Sequence, residues 1–136
     1  MRIVLDTNVV VAAGFDDTSA SAAIVEAIRR GRIDLVWDDA TRAETRSVLK
    51  SIPPLSWDAF RDLYGAGGAF DGATEPERFG AVPDPDDRAF AALADAAGAV
   101  LISNDDDLLG VRERLGVTVM TPEEFARKHV PRAQRP

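Results

Sequence analysis

Apolar residues in this chain come either in short unbroken runs or at every third or fourth position, and the two periods predict different elements. Arg2 to Leu5, Ile33 to Trp37, Ala99 to Ser103 and Val117 to Met120 are rich in Val, Ile and Leu and mostly bounded by Gly or Asp. Strands buried on both faces have that composition. Between them, Ser19 to Arg30 carries Ala22, Ala23, Ile24, Ala27 and Ile28 at helical spacing and stops at Gly31, a favoured C-cap. Asp39 to Lys50 predicts a second helix, capped by Asp38 and closed before Pro53-Pro54. Ser56 caps a third, whose Trp57, Phe60 and Tyr64 share one face. The fourth runs from Pro85 to Ala97, with Asp84 as cap, Pro85 at its first position and Phe90, Leu93, Ala94 and Ala97 as its core face. A fifth starts around Asp106 and ends before Gly116, and a short last one, capped by Thr121 with Pro122 at its first position, runs toward Arg127.

Strands alternating with helices imply right-handed crossovers and a parallel sheet covered on both faces. Gly65 to Val82 fits least well: five glycines and few large apolar residues predict a loop, and one of that length inside a compact domain is usually functional or mobile. No repeat or interdomain linker is visible. Residues 1–126 form the expected single domain and residues 127–136 a basic tail, with Arg127, Lys128, Arg132 and Arg135. A solvated end or a partner-binding segment is the expected use of such a tail.

Composition narrows the chemistry. The chain has 136 residues, 46% apolar, enough for a sizeable core. With no cysteine and one histidine, His129, it has no thiolate metal site, no disulfide and no material for a catalytic triad. An acid at position 6 interrupts what would be the apolar core of a signal peptide, and no apolar stretch approaches a membrane span, so a cytoplasmic protein without membrane contact is expected. The net charge of −7 argues against sequence-blind binding to a polyanion over a broad surface. Contact with nucleic acid then needs a local basic patch or metal ions.

The acids are the candidate chemistry. Asp6 directly follows Ile3-Val4-Leu5, Asp105 follows Val100-Leu101-Ile102 by three residues, and Glu44 and Asp87 lie near the starts of predicted helices. The carboxyl ends of parallel strands and the helix starts after them share one edge, where such folds place their sites. Carboxylates crowded there repel and stay ionised at neutral pH only around a positive charge, for which a hard divalent cation such as Mg2+ suits. Each acid also has a structural use: Asp84, Asp86 and Asp87, like Asp105, Asp106 and Asp107, sit at helix starts, where caps and the dipole favour negative charge. Glu44 completes a capping box with Thr41 unless Asp38 is the cap. Asp6 is hardest to explain structurally, because a buried unpaired carboxylate is costly. In the Asp84 to Asp87 cluster helical phase favours Asp87, three before Phe90 and seven before Ala94.

Leu5-Asp6-Thr7-Asn8, Glu44, Pro83-Asp84-Pro85-Asp86-Asp87 leading into Phe90-Ala91-Ala92-Leu93-Ala94, and Ser103-Asn104-Asp105-Asp106-Asp107-Leu108-Leu109 together resemble the PIN-domain ribonucleases, including the toxin-like members of bacterial toxin–antitoxin pairs (VapC-like). The resemblance implies a three-layer α/β/α sandwich with a central parallel sheet of four to five strands. It also implies Mg2+- or Mn2+-dependent cleavage of RNA phosphodiester bonds, with one or two ions. Asp6, Glu44, Asp87 and Asp105 match the family's acidic quartet, Asp107 a position that often adds a carboxylate, and Thr7, Asn8 and Ser103 the polar positions beside them. The implied partners are RNA, a small antitoxin protein and a second copy of the chain.

Hydrolysis of a phosphodiester needs a deprotonated water and positive charge against the phosphoryl group, and metal ions can supply both here. Arg42 and Arg46 on the Glu44 helix and Arg88 beside Asp87 are candidates to hold flanking phosphates; salt bridging to the surplus acids is the use the composition favours. Two rival classes share parts of the pattern. A Mg-dependent phosphoryl-transfer domain also starts with a strand ending in Asp, but Asn8 stands where the phosphatase pattern needs Asp, and Lys50 and Lys128 are the only lysines for the receiver pattern. A non-catalytic PIN-like module that binds RNA or protein is marked by loss of an acid, and none is missing.

Overall fold

A computed structural model of the chain describes residues 1–130. Its elements, in order, are β1 (Arg2–Leu5), α1 (Thr7–Phe15), α2 (Ala20–Arg29), β2 (Asp34–Leu35), α3 (Asp39–Ser51), α4 (Pro85–Ala97), β3 (Val100–Ile102), α5 (Asp106–Leu109), β4 (Val119–Met120) and α6 (Pro122–His129), with four short 3-10 turns between them. The strands form one parallel sheet in the order β2-β1-β3-β4. Alternation along the strands divides the core into two. Ile3 and Leu5 of β1 and Ile102 of β3 face a layer built from α1, α2, α3 and α6, while Val4 and Leu101 face α4. The result is the expected α/β/α sandwich, with four strands.

The strand order determines where a site can form. From β1 the chain crosses to β2 on one side, then returns across β1 to β3 on the other. The crevice outside the carboxyl ends at such a reversal is where open sheets bind ligands. Here the reversal lies between β1 and β3, and these strands are followed by Asp6 and by Ser103 to Asp105.

Start and stop signals fall mostly where the sequence puts them. Ser19, Asp38, Asp84 and Thr121 are N-caps whose side chains accept backbone N–H groups, and Pro85 and Pro122 open their helices. The capping box of α3 closes between Asp38 and Thr41, which frees Glu44 from any capping duty.

Three expectations change, and one helix is added. Residues 7–15, which gave no helical signal, form α1, because Asp6 caps it and an almost wholly apolar sequence is acceptable for a helix buried between sheet and α2. The helix expected after Ser56 shrinks to a 3-10 turn, Arg61–Leu63: Trp57, Phe60 and Tyr64 reach the core from turns. The fifth helix stops at Leu109 and is followed by a separate 3-10 turn. The strands at Ile33 and Val117 shorten to two residues each. Ile24, Ile28, Trp57 and Phe60 all pack into or against the core. Arg127 and Lys128 lie in the last turn of α6, while Arg132 and Arg135 are outside the described residues.

The Gly-rich segment is tied to the sheet edge. Trp37 donates its backbone N–H to Gly68 O (3.0 Å) and accepts from Phe70 N (2.8 Å), and its indole N–H donates to Gly65 O (2.8 Å). A Cβ on Gly68 would lie 2.2 Å from the Leu35 carbonyl oxygen, whereas one on Gly67 would meet nothing. We expect Gly68→Ala to destabilise the fold by about 1–3 kcal/mol in urea unfolding, a typical cost of overpacking, and Gly67→Ala to stay within about 0.5 kcal/mol of the parent. Equal effects would mean that the segment is not docked on β2.

Candidate metal centre

Three helix starts bring the acids together. Asp6 caps α1, Asp105 caps α5, and Asp87 is the third residue of α4. One carboxylate oxygen of each lies within 4.8 Å of the others. Asp6 and Asp87 are buried and Asp105 is partly so. Asp84 and Asp86 are exposed, whereas Asp87, the one that helical phase favoured, is buried.

Hydrogen bonds hold this arrangement at β1 and β3. The Ser103 hydroxyl donates to Asp6 Oδ2 (2.7 Å) and accepts from the Asp105 N–H (2.9 Å), so one side chain locks both acids. Thr7 N donates to Asp6 Oδ1 (2.8 Å), and Asp107 N donates to Asp105 Oδ1 (2.9 Å). Asn8 Oδ1 accepts from Asn104 N (3.2 Å), pinning the loop after β3 to the start of α1. Asp107 contributes its backbone there, and its side chain is exposed.

Glu44 stands outside the group of three. It is half-buried on α3, and burial, then Asp86 and Asp84, raise its pKa above the usual carboxylate range. Its repulsion by Asp86 and Asp84 sets it near the acidic start of α4. The residue after it, Thr45, is fully buried, with its hydroxyl 2.9 Å from that of Thr7. Thr45 gave no sequence signal; its only trace is its position four after Thr41 on the inward face of α3. Arg88 spends its Nε on Val82 O (2.9 Å), which fastens the Gly-rich segment at the start of α4. Arg42 and Arg46 lie on the flank of α3.

The electrostatics are unfavourable as the residues stand. Burial pushes Asp6 up to about 6, against the hydrogen bonds from Ser103 and Thr7 that pull it down, with Asp105 and Asp84 adding repulsion. That rise corresponds to about 3 kcal/mol against the ionised form, more than one helix N-terminus returns to a carboxylate. Asp87 is raised further, by burial first and then by its close approach to Asp105 and by Asp6. Its Oδ2 is buried with no hydrogen-bond donor.

An orphaned buried carboxylate oxygen beside two more acids is a donor set for a hard cation, which prefers oxygen ligands. The residues present fit Mg2+ or Mn2+: there is no thiol, and the nearby hydroxyls and amides are already engaged in orienting the acids.

The sequence pattern of the PIN domain family matches residues 2–107, from β1 through the start of α5. The chain belongs to the PIN domain family. Solved structures agree on the fold. VapBC2 from Rickettsia felis, bound to a DNA fragment from their promoter, has a TM-score of 0.61 at 15% identity, covering 89% of this chain and 98% of that one. VapBC-1 from nontypeable Haemophilus influenzae gives 0.60 at 15%, covering 90% and 99%. FitAcB from Neisseria gonorrhoeae gives 0.55 at 19%, covering 89% and 98%. No curated protein matches the chain. Among the described residues of this PIN domain, no helix is long and apolar enough to cross a membrane.

The raised acids make the metal-free protein sensitive to pH. Folded Asp6 and Asp87 hold protons that the unfolded chain releases near pH 4, so their contribution to stability is complete below that value. It is lost as pH rises through about 6 for Asp6 and higher for Asp87. In EDTA, urea unfolding should show the parent losing more stability between pH 5 and pH 8 than Asp87→Asn does. Parallel losses in the two proteins would show that Asp87 is not strained.

Proposed function

We propose that this PIN domain is a divalent-metal-dependent ribonuclease that hydrolyses RNA phosphodiester bonds, and that it is the toxin component of a toxin–antitoxin pair. The observation that carries the enzymatic reading is the triplet of Asp6, Asp87 and Asp105, whose oxygens lie within 4.8 Å of one another and include a buried one with no donor. A structural role explains single helix caps. It does not explain three acids aimed at one point.

Asp6, Asp87 and Asp105 would hold Mg2+ or Mn2+, with Glu44 and Asp107 acting from the rim through water. When bound, the ion supplies a lowered pKa for a coordinated water and positive charge against the phosphoryl oxygens. The chain's own contribution is orientation. Ser103 and the Thr7 N–H fix both oxygens of Asp6, and Ser103 and the Asp107 N–H fix the backbone and side chain of Asp105. Thr45 braces Thr7 from behind. Glu44, whose affinity for a proton is raised by burial and by Asp86 and Asp84, is the proposed acceptor of a proton from an attacking water. Attack of water oxygen on phosphorus with loss of the 3′ oxygen leaves a 5′-phosphate and a 3′-hydroxyl end.

The toxin reading is supported by the family resemblance and by the likeness in fold to the VapBC and FitAcB structures. A small antitoxin protein and a second copy of the chain are the proposed partners. The protein is proposed to act in the cytoplasm.

Cleavage of a labelled structured RNA should require Mg2+ or Mn2+ and stop in EDTA. Asp6→Asn should lower the rate by more than about 100-fold, and Ser103→Ala, which removes only the orienting group, by about 10- to 100-fold. Thermal unfolding should show Mn2+ stabilising the parent and not Asp6→Asn. A parent that is neither stabilised by metal nor able to cut would overturn the proposal.

A further inference from the structure

The acidic surplus of the chain makes its unpaired cations informative. Arg42, Arg46 and Lys50 recur every fourth residue along one flank of α3 and line a common hollow. Among the described residues none of the three makes an ion pair, although the chain carries 23 acids against 16 bases. Salt bridging, the use the composition favoured, is therefore not what they do. An adjoining hollow of about 570 Å³ shares the three cations and adds Arg61 on its far wall.

Arg42 is held in position. Its guanidinium carbon lies 5.6 Å from the Trp37 ring and 5.5 Å from the Trp57 ring, and its Nε is buried without an acceptor. Cation–π attraction to both indole rings restrains the group while leaving hydrogen-bond donors unused. Arg46 and Lys50 are exposed. Asp39 is the acid at one end of the row, and Asp58, 3.6 Å from Arg61, the acid on the opposite wall.

We infer that this row is a track for the phosphate backbone of single-stranded RNA, Arg42, Arg46 and Lys50 each taking one phosphate of the strand away from the cleaved bond. Four residues of helix advance about 6 Å, close to the separation of successive phosphates along a nucleotide chain. Cations evenly spaced on one rigid helix suit a regular polyanion better than an acidic peptide, whose charges are irregular. The row lies on the flank of α3 away from Glu44, two residues from it in either direction and so across the helix. Contacts of this kind carry affinity and register without reading bases, and a local track reconciles RNA binding with a net charge of −7. The choice of RNA as the polyanion rests on the ribonuclease reading; the existence of the track does not.

The test is equilibrium binding of a labelled oligouridylate to the metal-free full chain in EDTA, over a range of salt. Arg46→Ala/Lys50→Ala should weaken binding by roughly tenfold and lower the slope of log K against log salt by about 1.4, from about 0.7 per contact on a single strand. Arg32→Ala/Arg114→Ala, which removes the same charge from exposed positions elsewhere, should leave both within error. Equal losses in the two double variants, no binding by the parent, or equally tight binding of polyglutamate that is lost in the same variant would overturn the assignment. A parent that binds through this row and cuts no RNA would sink the ribonuclease reading alone; one that cuts RNA while Arg46→Ala/Lys50→Ala binds normally would sink the track alone.

Discussion

Repulsion among Asp6, Asp87 and Asp105 is the constraint around which the rest of the structure is arranged. Three carboxylates drawn from three helix starts are held within 4.8 Å, two of them buried, and among the described residues none of the three makes an ion pair that would balance the charge. Left alone, such groups separate or take up protons. Here the fold denies the first course. Ser103 grips Asp6 and the backbone of Asp105 at once, and Asp6 N is bonded to Ile102 O (3.0 Å), so the ends of β1 and β3 cannot part.

That rigidity depends on the two-sided core. β1 and β3 are buried on both faces, with Phe90, Leu93 and the alanines of α4 on one and Val9, Val10, Ile24 and Phe125 on the other. Buried apolar side chains at about 25 cal/mol per Å² supply the free energy that holds a few uncompensated charges at the sheet edge. Local strain of this sort, kept by a stable scaffold, is what a site needs if a bound cation is to find its ligands already in place. The acids are therefore a cost to the empty fold and a gain to the occupied one.

Charge is partitioned over the surface of α3. Its Glu44 side looks toward α4 and the acidic crevice, its Thr41 and Thr45 side is buried, and its Arg42, Arg46 and Lys50 side is open. One helix thus separates the place where a cation is favoured from the place where an anion is. A phosphodiester chain needs both, because its backbone is drawn by the cations while its scissile group must enter among carboxylates that repel it until a metal intervenes.

Much of this was legible in the chain itself. Asp84 and Pro85, Thr121 and Pro122, and Asp38 mark helix starts through local capping chemistry that needs no tertiary context, and the short Val/Ile/Leu runs mark strands buried on both sides. The alternation of those elements led to the expectation that Asp6, Glu44, Asp87 and Asp105 share one edge, and three of the four come within 4.8 Å. Tertiary structure decided the rest. An apolar segment after Asp6 has no amphipathic period, so only burial between β1 and α2 makes it α1. Trp57, Phe60 and Tyr64 had helical spacing, yet they meet the core from turns, because spacing records which residues are buried and not the backbone that carries them. Glu44 was expected at the same edge, but it stands outside the group of three, nearer Asp84 and Asp86. Ser103 as the shared clamp, Thr45 behind Thr7 and the unpaired row on α3 all depend on distances between residues far apart in the chain, and those exist only once the layers have packed.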